Sequence, residues 1–398
     1  MEPGTRGDER PGAVVASRPA AATAHTAHAG PMTRLHIDAR LAGHSGIGTY
    51  LREMLPRVVP RVAAWRPRVL TGVDRRGLLT ALVGRDAEVD AWDVAPLAVA
   101  DLVAAPPGME PHDLLWTPHF NVPLRSACAL AVTLHDLMPL TAPELAGYGR
   151  SLPVRAWARA IGERARAVFC ISGFTRGEAL RFARLDPARV HVTPLGVDRA
   201  WFAPADGAAP RADPPTIVFV GLLKPHKNVA RLLRAFARIR DRIPHRLLLV
   251  ARHHDIRNVD RDALSLARRH ADRVELVEDL PFADLVSRVQ AAQVAAQPSL
   301  HEGFCLPAVE AMAAGTPVLA GRAGAMPEVC GDAAHYCDPE SDDDVARALF
   351  ELATDAALRA RLAEAGRRRA HAFSWDACAA DTANALVAAM GALREEAK

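Results

Sequence analysis

The sequence predicts an α/β protein with two open parallel-sheet domains of Rossmann type facing each other across a cleft. Three observations carry this. Short apolar runs alternate with helix-length stretches from Leu35 to about Thr193, and the alternation restarts at Thr216. Between the two series, residues 203–215 carry Ala-Pro breaks and no periodicity, and read as a linker. The residues best suited to bind a ligand fall at strand ends or helix starts, the edge that lines the crevice of an open α/β sheet. A chain of 398 residues is also long for one core.

Composition narrows the function classes. Hydrophobic residues make up 50% of the chain and mean hydropathy is near zero, as in a soluble globular protein. The formal net charge of +3 is too balanced to argue for nucleic acid. No apolar run is long enough to span a bilayer. The six cysteines form no C-x-x-C and no metal-ligand spacing, so a reducing cytosol is the expected compartment.

In chain order, residues 1–31 are rich in Ala, Pro, Gly and charge, lack periodicity, and read as a disordered extension. The first domain is then expected over 32–202. Leu35 to Asp38 is its first strand, and a helix ends near Val58. Between them Gly46 and Gly48 flank Ile47, where glycines let amides approach a phosphate or sugar; a plain tight turn is the alternative. Residues 60–112 are irregular and place no element firmly. His119 reads as a loop residue packing beside the site. Leu130 to Leu134 is a strand of buried type, which sets His135 at its carboxyl end, facing the crevice. A structural histidine partnered by Asp136 is the alternative. Arg155, Arg159, Arg164 and Arg166 share a helix-like stretch with Trp157. It reads first as a solvated face and second as a peripheral contact with anionic lipid at the inner face of a membrane. Ala167 to Ile171 is a strand, Ser172 a helix N-cap, and Val190 to Thr193 a strand.

The second domain is expected over 216–372, with a closing helix in 373–398. Thr216 to Val220 opens it, and Asn228 is placed to cap the next helix. Lys227, in the loop between, is a compact charge able to meet a diphosphate or simply a surface lysine near a cap. Asp342 to Asp344 contains a D-x-D, read as acids at a helix N-terminus in preference to a metal site. The densest signal is His301 to Ala320. Pro307 suits the first helical turn and Gly315 a left-handed stop. The amides of Gly303, Phe304, Cys305 and Leu306 then lie at a helix N-terminus, which favours phosphate. Glu302 precedes the helix and Glu310 lies on it, so both can face one ligand; carboxylates bind sugar or ribose hydroxyls strongly. A capped buried helix with two incidental glutamates is the alternative.

These segments carry a resemblance. EGFCLPAVEAMAAGTPVLA, followed by Pro327-Glu328-Val329 and Gly331-Asp332-Ala333, resembles the E-x7-E region of the retaining glycosyltransferases of family 4, which have the GT-B fold. SGIGTY, VTLHDLMPL, the Pro194 to Asp198 turn, GLLKPHKN and the helix from Trp375 resemble further family segments, so the likeness runs from about Thr33 to Met390. The nearest likeness is to bacterial polysaccharide mannosyltransferases. It implies a hexose moved from a nucleotide-sugar, GDP- or UDP-linked, to a glycan or lipid-linked acceptor, with no metal or other cofactor. It also implies that Glu302 touches the donor sugar, Glu310 the ribose, Lys227 the diphosphate and His135 the sugar or leaving phosphate, with Asp136 orienting the imidazole. Leu280 would lie near the nucleotide base, and the last helix would cross back onto the first domain. Two departures stand out: Cys305 replaces a frequent glycine, and Leu222 a frequent phosphate-binding arginine. A nucleotide-sugar epimerase of related fold and a binding subunit without activity are the two rival readings.

Overall fold

Buried strands need every backbone group paired, and the apolar runs meet that need in two separate sheets. The computed structural model describes residues 33–44, 46–96, 100–146, 152–183, 185–202, 212–252, 258–278 and 280–397. The extension 1–31 lies outside them, as do residues 203–211 of the expected linker.

The first sheet comprises β1 (Leu35–Asp38), β2 (Arg68–Thr71), β3 (Glu88–Ala91), β4 (Leu114–Thr117), β5 (Ala129–Leu134), β6 (Ala165–Cys170) and β7 (Val190–Val192). Its order is β3-β2-β1-β4-β5-β6-β7, and every pairing is parallel. The second comprises β8 (Thr216–Leu222), β9 (Arg246–Arg252), β10 (Val274–Val277), β11 (Val294–Gln297), β12 (Val318–Gly321) and β13 (Ala334–Cys337). Its order is β10-β9-β8-β11-β12-β13, also parallel throughout. In each sheet the order reverses once, at β1/β4 and at β8/β11. Helices on both faces bury the strands, and β1, β4 and β5 are buried along their whole length.

The expected elements lie within a residue or two of those observed, with two exceptions. The segment 60–112 holds two regular strands, β2 and β3. Each is four residues long and carries charge (Arg68, Glu88, Asp90), which masked the apolar signal. The last helix runs Trp375–Glu396, about 1.7 turns beyond Met390. It packs along the helix Ile47–Val58 and ties to the first domain through Arg57–Asp376 (3.0 Å) and Arg166–Glu396 (2.6 Å). Gly196 seats its turn against Trp375, where an added Cβ would fall 2.0 Å from the Trp375 amide nitrogen.

Candidate active site

The β8/β11 reversal brings two loops together. The loop after β8 supplies Lys227 and the loop after β11 supplies Glu302. Lys227 Nζ lies 2.7 and 2.9 Å from the two Glu302 oxygens, and Ser299 Oγ donates to Oε1 at 2.7 Å. Burial works against charge on both groups, yet each partner holds the other ionised: the Lys227 pKa is raised and the Glu302 pKa lowered. Asn228 does not cap its helix through its side chain. It adopts φ 61°, and Nδ2 donates to the carbonyls of Pro298 (2.9 Å) and Pro339 (2.7 Å), pinning three loops of the crevice.

The helix Leu306–Ala313 starts as expected, with Pro307 in its first turn. Gly315 is left-handed at φ 72° and ends it. Among the described residues nothing accepts from the amides of Gly303 to Leu306. Phe304 is buried edge-on to Phe373, with ring centroids 5.2 Å apart. Cys305 is buried at φ 70° and ψ 68°, a left-handed conformation that suits the glycine it replaces. Glu310 lies one turn into the helix beside the segment Asp198 to Trp201. Burial and the Asp198 charge push its carboxyl up to about 8, against a hydrogen bond with Trp201.

The two domains meet on this loop. An added Cβ on Gly303 would fall 1.7 Å from the His135 carbonyl oxygen, so only glycine fits there. Ser172 Oγ donates to the Gly303 carbonyl at 2.7 Å. Glu328 of the second domain accepts from the amides of Gly173 (2.7 Å) and Phe174 (2.8 Å) at a helix N-terminus of the first. His301 lies 3.3 Å from Glu178; burial opposes its charge, but Glu178 raises its pKa.

His135 stands where the sequence placed it, at the end of β5, but its orienting partner differs. Asp136 accepts from the Met138 amide (3.0 Å) and does not hold the ring. The Tyr50 ring meets the imidazole edge-on at 5.0 Å. Nε2 is buried without a hydrogen-bond partner. Burial, then the neighbouring His119, drive its pKa down to about 4, so the ring is neutral near pH 7. Tyr50 had no assigned role; its hydroxyl bonds Thr133 at 3.1 Å, which fixes that edge.

Other expected site residues divide. Gly46 is the left-handed N-cap residue of its helix (φ 70°), with open space where a side chain would stand. Gly48 is a packing glycine: an added Cβ would come within 2.8 Å of the Ala42 carbonyl oxygen. Leu280 follows β10, two strands from the reversal, and packs against the core. The basic stretch does not form a uniform lipid face. Arg164 turns inward to the carbonyls of Pro123 and Cys128, Arg166 pairs with Glu396, and Trp157 is buried. Asp342 is bound by Arg231 (2.6 Å) and Arg234 (3.0 Å). Among the described residues, no helix is long and apolar enough to cross a membrane.

Comparison with known proteins identifies the family and the fold. Residues 206–369 match the family model "Glycosyl transferases group 1", and residues 110–201 match "Glycosyltransferase Family 4". An MMP alpha-(1->4)-mannosyltransferase of Mycolicibacterium hassiacum is 34% identical over 60% of this chain and 59% of its own. O-antigen chain mannosyltransferase B of Escherichia coli is 28% identical over 67% and 72%. A D-inositol 3-phosphate glycosyltransferase of Salinispora tropica is 33% identical over 62% and 56%. The match thus spans under two thirds of the first and third relatives. Among solved structures, Anabaena HepE in complex with UDP-glucose superposes with TM-score 0.69 at 17% identity, over 89% of this chain and 99% of that one. WaaG, a glycosyltransferase involved in lipopolysaccharide biosynthesis, superposes with TM-score 0.64 at 16% identity, over 88% and 98%. At such identity the likeness speaks for the two-domain GT-B architecture.

Proposed function

The chain belongs to the family 4 glycosyltransferases, and on that premise we propose that it transfers a hexose from a nucleotide-sugar to an acceptor hydroxyl with retention at the anomeric carbon. The observation that carries this is the Lys227–Glu302 pair across the β8/β11 reversal, beside a free helix N-terminus and opposite His135. Lys227 and the amides of Gly303 to Leu306 meet the charge that develops on the departing diphosphate. With that charge met, no divalent metal is required. Glu302 accepts from hydroxyls of the donor sugar, and neutral His135 presents a bare Nε2 as a second acceptor. Glu310 takes the ribose. Among the described residues no carboxylate is placed as a covalent nucleophile, which favours front-face attack with the leaving phosphate taking the acceptor proton. The names of two relatives favour mannose, and hence GDP-mannose, as donor. A glycan or lipid-linked alcohol is the expected acceptor.

Thermal stability against GDP, GDP-mannose, UDP and UDP-glucose, with and without chelator, tests this. A ligand at about a hundred times its Kd stabilises by roughly 2.7 kcal/mol, a shift of several degrees. Stabilisation by the GDP compounds alone, indifferent to chelator, is the expected result. A response to UDP compounds alone replaces the donor, and no response to any of them overturns the reading.

A further inference from the structure

Tyr50 lies in the first turn of the helix Ile47–Val58 and is fully buried. Its hydroxyl bonds Thr133 Oγ1 at 3.1 Å, and that oxygen also accepts from Trp116 Nε1 at 3.1 Å. Its ring meets three others at steep angles. These are Trp116 on β4 (centroids 6.4 Å apart, 80°), Trp375 at the start of the last helix (6.3 Å, 62°) and the His135 imidazole just past β5 (5.0 Å, 87°). Edge-on contact at such distances is a favoured geometry for aromatic pairs. Trp375 is in turn seated against Gly196, where no side chain fits.

Thr133 precedes His135 by two residues, the spacing that sets side chains on one face of an extended chain, and Tyr50 touches both. The hydroxyl fixes one end of the tyrosine on Thr133, while the rings of Trp116 and Trp375 limit its tilt. What this fixed ring presents to the site is its contact with the imidazole. His135 Nε2 is buried and has no hydrogen-bond partner, so no bond at that nitrogen sets where it points. We infer that Tyr50 is the positioning residue for His135, holding the imidazole edge-on so that Nε2 is aimed before the donor sugar arrives. Such aiming matters because a reacting group misplaced by about 1 Å can lose 10²-fold in rate. Side chains of this kind are held by packing and hydrogen bonds one layer behind the site, as Thr133, Trp116 and Trp375 hold Tyr50. The effect on turnover rests on the proposed transferase reading; the effect on the imidazole does not.

The test uses variants of the full chain. Tyr50→Met removes the ring and fills much of its space, and Tyr50→Leu serves if that variant does not fold. Tyr50→Phe keeps the ring and leaves Thr133 its bond from Trp116. Proton–carbon NMR of histidine-labelled protein, with His135 assigned by loss of its signals in His135→Ala, reads the imidazole. Wild type is expected to give one sharp set of His135 ring signals, and Tyr50→Met a broadened or doubled set. Turnover should fall roughly 10- to 100-fold in Tyr50→Met, with nucleoside diphosphate affinity within about twofold of wild type. Tyr50→Phe should lose only about 2- to 5-fold, the scale of one neutral hydrogen bond. In the His135→Ala background Tyr50→Met should cost nothing further. A single sharp set of signals in the folded ring-less variant overturns the inference. So does an equal loss of turnover with and without His135, which makes Tyr50 a scaffold only, or a loss in Tyr50→Phe as large as in Tyr50→Met. If wild type transfers no sugar, the transferase reading fails and the His135 signals alone decide this inference.

Discussion

The two sheets reverse their strand order in the same way and use the crevice differently. At β8/β11, an ion pair of one lysine and one glutamate spans the opening next to unpaired helix amides. At β1/β4, one arginine between two aspartates closes the opening with buried side chains. Strand order creates both crevices, since adjacent loops diverge wherever connections run in opposite directions. Side chains decide whether a crevice stays open or is filled from within. Fold alone therefore does not locate the site.

The sharpest way to break this comparison is to remove the cation from each crevice. Arg40→Met strands two buried carboxylates, whereas Lys227→Met strands one beside Ser299. Breaking a buried pair costs about 3–5 kcal/mol, so Lys227→Met should fall in that range and Arg40→Met at or above its top. Urea midpoints at constant m-value measure both. Only Lys227→Met should also abolish stabilisation by a nucleoside diphosphate. If both variants lose it equally, the two crevices are not functionally distinct.

Turnover sharpens the comparison next. Glu302→Ala and His135→Ala should each lower kcat by roughly 10²–10³, the scale of a lost polar contact to a transition state, and leave nucleotide affinity nearly unchanged. Steady-state rates with saturating donor check this. An unchanged kcat in both would remove Glu302 and His135 from the reacting centre.

Much of the fold was legible because β5 and β8 are nearly continuous apolar runs, and because Ser172, Pro307 and Gly315 carry local signals that do not depend on the rest of the chain. Strands β2 and β3 were not legible, since four-residue strands with charged members have no period to detect. Site residues were legible where a motif fixes their spacing, as for Glu302 and Glu310. What no spacing reveals is which groups touch. Asp136 sits next to His135 in sequence yet turns away to accept from the Met138 amide, while the Tyr50 ring meets the imidazole from a separate helix. Arg40 gathers Asp38, Asp101 and the Trp92 ring from separate segments of the chain, so no local signal announces that cluster.

A smaller effect concerns Glu310, which contrasts with Glu302 on the other side of the same helix start. Glu302 is ionised by Lys227, while burial and Asp198 keep Glu310 protonated up to about pH 8. Its folded pKa lies above the unfolded value near 4.5. Its contribution is therefore complete below about pH 4.5 and is lost as pH rises through about 8. Glu310→Gln mimics the protonated form. Its melting temperature should match wild type at pH 5 and exceed it at pH 9. A wild-type curve parallel to the variant's across that range would show that Glu310 is ionised throughout.

The smallest effect belongs to Cys305, which separates backbone from side chain within the donor crevice. A non-glycine residue in the left-handed region costs roughly 1–2 kcal/mol, and Cys305 bears that cost at φ 70°. Cys305→Ala keeps the cost and loses the buried sulfur, so it should destabilise. Cys305→Gly loses the sulfur too but releases the strain, at the expense of roughly 0.5–1 kcal/mol in chain entropy. Glycine should thus be the more stable of the two by up to about 1.5 kcal/mol, the reverse of the usual order beside a helix. Paired urea denaturations read the difference. Alanine more stable than glycine would mean that the loop does not hold position 305 left-handed in solution, and that the amides of Gly303 to Leu306 are not preset for a phosphate.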